Sequence, residues 1–103
     1  MFRISYTPLA QRDIFSITQY LLDTLDSPQA ASTFLDKLDT TIETLAQFPY
    51  SCPLYRPPGP LPDEIRFTLV KNYVLYFAVL DDVVEIRRVI HGSRNRDSIE
   101  EKM

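Results

Sequence analysis

Apolar and polar residues alternate from Phe2 to Thr7, with Phe2, Ile4 and Tyr6 set against Arg3, Ser5 and Thr7. A period of two predicts a half-buried strand. The period changes at Thr7-Pro8, where a hydroxyl residue able to cap a helix precedes a proline suited to the first helical position. Ala10, Ile14, Ile17, Leu21 and Leu25 then recur three or four apart, as one apolar stripe of an amphipathic helix. Asp26-Ser27-Pro28 repeats the start signal. A second stripe of Ala30, Phe34, Leu38, Ile42 and Leu45 follows and runs out near Phe48-Pro49. Two such helices joined by so short a linker must fold back as an antiparallel hairpin.

Six of the eight prolines fall between Pro49 and Pro62. Each lacks a backbone donor, so this stretch predicts a stiff extended connection across the surface, and neither a helix nor a central strand. A proline-rich recognition segment is the functional alternative. Three strands follow. Ile65 to Val70 alternates, Tyr73 to Leu80 is almost continuously apolar and aromatic, and Val83 to His91 is the last. The unbroken middle run is that of a strand covered on both faces. Lys71-Asn72 and Asp81-Asp82 are short enough to require an antiparallel meander. The expectation is therefore a single α+β domain over residues 1–103, of order β-α-α-β-β-β: an antiparallel sheet with an N-terminal helical hairpin packed on one face. A short helix from Ser98 could close the polar tail.

Composition adds bounds. A chain of 103 residues can bury roughly two-thirds of its unfolded surface without a metal or disulfide staple. The lone Cys52 has no intrachain partner, which suits a reducing cytoplasm. Nothing approaches a membrane span, and the alternating N-terminus is unlike a secretion signal. Net charge is −3, which argues against a protein that coats nucleic acid with its whole surface. That total conceals an asymmetry. Pro8 to Gln47 carries two basic residues and six acids, whereas Arg87 to Arg96 carries four arginines, His91 and no acid.

Candidate chemistry is sparse. Two glycines cannot build a phosphate loop, and one cysteine with one histidine cannot make the usual zinc site, so neither cofactor nor metal is expected. No feature brings Cys52 and His91 together as a nucleophile and base. Arg66, Arg87, Arg88, His91, Arg94 and Arg96 remain. In an unbroken strand Arg88 shares a face with Val84, Ile86 and Ile90, while Arg87 and His91 share the other with Glu85. A buried arginine requires a carboxylate partner or a bulge that turns it out. His91 is either a hydrogen-bonded strand end or a proton donor and acceptor. Arg94 and Arg96, after Gly92, are expected to face solvent. The arginines could instead pair with the chain's own acids, among them Asp97, Glu100 and Glu101.

From Tyr6 to about Asp97 the chain resembles the RelE/ParE superfamily of toxins from bacterial type II toxin–antitoxin (plasmid stabilisation) modules. The resemblance is carried by Ala10, Asp13, Ile14, Ile17 and Tyr20-Leu21, by Pro28-Gln29-Ala30-Ala31, and by Leu45-Ala46-Gln47-Phe48-Pro49. The strand motifs are Ile65-Arg66, Asn72-Tyr73-Val74-Leu75-Tyr76 and Ile86-Arg87-Arg88-Val89-Ile90-His91-Gly92-Ser93-Arg94.

The resemblance implies a small cytoplasmic toxin in a hetero-oligomer with a cognate antitoxin. RelE-like members cleave mRNA on the ribosome. ParE-like members are understood to poison DNA gyrase by binding it. Val74 stands where RelE has an arginine, no tyrosine follows Tyr76, and the chain is acidic. The Arg88 to Arg94 run is more similar to the ParE side, although Ser51 stands where many ParE-like chains have glycine. The ParE-like expectation is binding without catalysis, with Arg87, Arg94 and Arg96 meeting a partner. The ribonuclease alternative uses His91 as acid or base, with Arg66, Arg88 and Arg94 on the phosphate. A third alternative is a non-toxic interaction domain of the same fold.

Overall fold

Strand β1 spans Arg3–Tyr6 and gives way to helix α1, Pro8–Gln19. Thr7 makes the junction: its backbone is extended, and its hydroxyl accepts the Ala10 N–H at 3.0 Å. Helix α2, Pro28–Gln47, begins the same way, with Ser27 accepting the Ala30 N–H at 3.1 Å. Between the helices the last turn of α1 widens into a π-helical segment, Tyr20–Thr24, closed by Leu25 N–H to Tyr20 C=O. Strands β2 (Arg66–Val70), β3 (Tyr73–Leu80) and β4 (Val83–His91) complete the molecule. The structure is a computed structural model that describes residues 1–56 and 59–93. The expected tail helix, Arg94, Arg96 and the acids after them lie outside those residues.

The sheet order is β1-β4-β3-β2. The expected α+β order and the antiparallel meander β2-β3-β4 are present, but β1 joins β4 in parallel, so the sheet is mixed. Topology is the reason. The chain climbs along α1 and returns along α2, so β2 starts at the same end as β1. The meander then leaves β4's outer edge for β1 to occupy.

Two apolar layers flank the sheet. On one face Ala10, Ile17, Leu21, Phe34, Leu38 and Leu45 of the hairpin pack against Leu75, Phe77, Val84, Ile86 and Val89. On the other, Tyr55, Leu61 and Ile65 of the proline-rich connection cover Val74, Tyr76, Ala78 and Ile90. The connection is tied along β2 through Tyr55 N–H to Ile65 C=O and Phe67 N–H to Pro53 C=O. It therefore forms the second lid of the sheet, which explains why β3 reads as unbroken apolar sequence.

The apolar stripe of α1 departs from expectation at its end. The π-helical turn inserts one residue, so Leu21 is buried while Leu25, four positions on, is 52% exposed. Truncation of Leu21 to alanine is expected to cost about 2–5 kcal/mol in urea unfolding. Leu25→Ser should stay within about 0.5 kcal/mol of the parent. Equal losses at both positions would mean that the helix continues with ordinary α periodicity.

Candidate functional site

Strand β1 ends opposite the middle of β4: Tyr6 pairs with Ile86, and the Thr7 N–H reaches the Ile86 carbonyl at 3.0 Å. Beyond that point α1 takes the place of a neighbouring strand. The pairing of β3 with β4 also slips here, from Phe77 opposite Ile86 to Tyr76 opposite Arg88, which leaves Arg87 as the extra residue of a bulge. The Thr7 hydroxyl donates to the Arg87 carbonyl at 3.2 Å, so one side chain caps α1 and holds the bulge.

The bulge resets the strand's alternation. Val84 and Ile86 face the hairpin before it and Val89 after it, whereas Ile90 joins the opposite cluster. The strict alternation expected of β4 thus fails at Arg87. Arg88 is 3% exposed, and Asp13 of α1 receives it: Nε donates to Oδ2 at 2.7 Å and Nη2 to Oδ1 at 3.0 Å. Asp13 Oδ2 also accepts the Val89 N–H at 3.0 Å. One carboxylate therefore satisfies a buried guanidinium and a strand-edge amide together.

The other basic residues are engaged as well. Arg87 Nη2 meets Asp63 at 2.9 Å, and its Nε meets Glu85. This residue, expected to meet a partner, ties the connection to the sheet, and its side chain is 11% exposed. Arg66 Nη1 donates to the Cys52 carbonyl at 2.7 Å, and its guanidinium lies 5.1 Å from the centre of the Tyr50 ring. His91 is exposed, and its Nδ1 accepts the Ser93 N–H at 3.2 Å and lies 2.8 Å from the Ser93 hydroxyl. The imidazole stands edge-on to Tyr73 at 5.5 Å. Cys52 packs beside the start of β2 while His91 ends β4, so the two thiol–imidazole partners considered from sequence sit apart.

What the fold does bring together is a groove of about 610 Å³ between α1 and the upper ends of β3 and β4. Ile17, Tyr20, Leu25 and Tyr73 form its apolar walls, with Ser16, Asp13 and His91 at its polar margin. Tyr20 follows Asp13, Ser16 and Ile17 at ordinary helical spacing, whereas Leu25 lies beyond the π-helical turn, a feature with no clear signature in sequence. Asp13 was legible in principle: it lies on the stripe with Ala10, Ile14 and Ile17, where an acid demands a buried base. Among the described residues no group of three or more His, Cys, Asp and Glu could hold a metal, and no helix is long and apolar enough to cross a membrane.

The model of the ParE toxin of the type II toxin–antitoxin system parDE matches residues 4–96. The chain belongs to the ParE toxin family. A solved chain described as "Chromosomal ParDE TA system from P. aeruginosa" has the same fold, with a TM-score of 0.69 at 19% identity over 88% of this chain and 96% of that one. No curated protein sequence matches. In this ParE-family chain the candidate surface is thus an aromatic groove, and the arginines of β2 and β4 serve the fold around it.

Burial pushes the Tyr73 phenol above its ordinary value near 10, and the neighbouring Tyr20 adds to the shift. Tyr6 is raised in the same way by burial and then by the Asp39 carboxylate. A raised phenol stabilises the folded state below pH 10, and that contribution is lost as pH climbs through the folded value. Urea midpoints measured from pH 8 to 11 should fall at the alkaline end, and Tyr6→Phe with Tyr73→Phe should flatten that fall. An unchanged alkaline slope in the double variant would contradict the assignment.

Proposed function

We propose that this ParE-family chain is held inactive by a cognate antitoxin and, when free, acts by binding DNA gyrase without a catalytic centre of its own. One observation carries the reading: of the described residues an RNA-cleaving site would need, Arg66 and Arg88 are tied up, and these two and His91 are dispersed. Arg88 is buried against Asp13, and Arg66 is bonded to the Cys52 carbonyl. Arg66 and Arg88 flank β3 on different strands, about 10 Å apart across two strand spacings. His91 lies three residues farther along β4, about 10 Å by strand rise. Stabilising a phosphorane requires such groups to converge on one phosphorus within hydrogen-bond reach.

Charge supports the same reading. A protein of net charge −3 gains nothing from the phosphate field of a ribosome. Binding needs only complementary surface, and the groove beside α1 offers it. Arg87, Arg94 and Arg96 are proposed to meet the partner, Arg87 from beside Asp63. The lone Cys52, without a disulfide partner, suits the reducing cytoplasm where both antitoxin and gyrase would be met.

Purified protein is expected to inhibit supercoiling by DNA gyrase, and the product of the adjoining reading frame should relieve that inhibition. Primer extension on translated message should show no cuts at the ribosomal A site. A-site cuts that vanish in His91→Ala would establish the ribonuclease alternative. Absence of binding to either gyrase subunit would remove the proposed target, and unaffected growth on induction would favour a non-toxic interaction domain.

A further inference from the structure

Two large aromatic side chains stand exposed just past the end of α2, Phe48 at 62% and Tyr50 at 60%. Their base is preformed. Pro49–Ser51 is a 3₁₀ turn with a buried proline, and the Ser51 hydroxyl and N–H both donate to the Phe48 carbonyl, at 2.7 and 3.2 Å. The Phe2 N–H donates to the Ala46 carbonyl at 2.7 Å, which fixes its ring edge-on to Tyr50 at 6.0 Å. The Arg66 guanidinium stands over the same Tyr50 ring. The starts of β1 and β2 thus frame one aromatic platform. It lies at the opposite end of β4 from the groove, about 26 Å away by strand rise.

Arg66 is the unanswered charge of this platform. Of the arginines in β2 and β4, Arg87 meets two carboxylates and Arg88 one. Among the described residues no ion pair engages Arg66, which is half-buried between the Cys52 carbonyl and the Tyr50 ring. A partly desolvated guanidinium with N–H groups still to give selects a carboxylate. Tyr and Arg are also the residue types that dominate binding energy in protein interfaces, most of all where they are held in place beforehand. Nucleic acid fits poorly here, because α2 carries exposed Asp36, Asp39 and Glu43 against the single Lys37, on a chain of net charge −3. A second copy fits poorly too: a two-fold contact through Tyr50 would bring two Arg66 side chains together.

We infer that this platform is a contact surface for DNA gyrase, receiving a segment of that enzyme that sets a carboxylate on Arg66 and an apolar side chain against Phe48 and Tyr50. The inference rests on the gyrase reading above and adds to it the residues and the chemistry of the contact. A surface fixed by a buried proline and backbone hydrogen bonds suits docking against another folded protein with little rearrangement. Its distance from the groove makes the two surfaces separable by substitution.

The test uses the full chain, each purified gyrase subunit and the product of the adjoining reading frame, with affinities from calorimetry and inhibition from supercoiling assays. Phe48→Ser with Tyr50→Ser should weaken binding to gyrase by at least about 30-fold and raise the inhibitory concentration in step, while affinity for the adjoining product stays within about twofold of the parent. Phe48→Ser alone leaves the contacts of Tyr50 with Phe2 and Arg66 in place and should weaken gyrase binding by about fivefold. Arg66→Gln keeps a donor for the Cys52 carbonyl and should weaken gyrase binding by about tenfold at low salt, with a flatter salt dependence. Parental gyrase affinity in either serine variant would overturn the inference. So would an equal loss of affinity for the adjoining product, which would give the surface to the antitoxin. If the double variant splits a dimer of this chain in sedimentation while gyrase affinity holds, the platform belongs to a second copy and the inference fails. A parent chain that binds neither gyrase subunit removes the gyrase reading, and with it this inference.

Discussion

A single carboxylate organises the upper half of this molecule. Asp13 accepts two bonds from the Arg88 guanidinium and a third from the Val89 amide, at a place where β1 has ended and β4 would otherwise present an unpaired edge. Edge amides left without partners cost stability and invite unwanted pairing. Here a helix completes the edge. The same contact draws α1 against β4, so the groove is bordered by α1 on one side and by the ends of β3 and β4 on the other. Buried ion pairs contribute less to net stability than to specifying one arrangement. In this chain the arrangement specified is the register of the bulge and the position of α1.

The second consequence concerns the arginines. An acidic protein with a local cluster of guanidinium groups invites the idea of a phosphate-binding face. The described members of that cluster have other duties. Arg88 belongs to the clamp, Arg87 fastens the proline-rich connection through Asp63, and Arg66 lies over Tyr50 and holds the Cys52 carbonyl. The connection itself covers the sheet face opposite the hairpin with Tyr55, Leu61 and Ile65. Both faces of the central strand are thereby closed.

Much of the fold was legible in sequence because its signals are local. Thr7-Pro8 and Ser27-Pro28 act through caps that reach only three residues ahead, and both helices start where those pairs stand. The strands of the meander are fixed by their turns. The parallel pairing of β1 was not legible, since it depends on which edge the meander leaves open. The π-helical turn escaped because Leu25 continues the stripe perfectly in sequence; only packing rotates it outward. At Arg88 the residue pattern posed the right alternatives, a bulge or a carboxylate. The structure uses both, because the slip at Arg87 and the acid at Asp13 act on the same stretch of β4.

The clamp is tested most directly by equilibrium unfolding of Asp13→Leu, Arg88→Met and the two combined. Removing either partner alone leaves a buried group of one charge uncompensated and should cost about 3–5 kcal/mol, whereas the apolar pair should recover most of that loss. Single variants within about 0.5 kcal/mol of the parent, or losses that simply add in the double variant, would contradict the account.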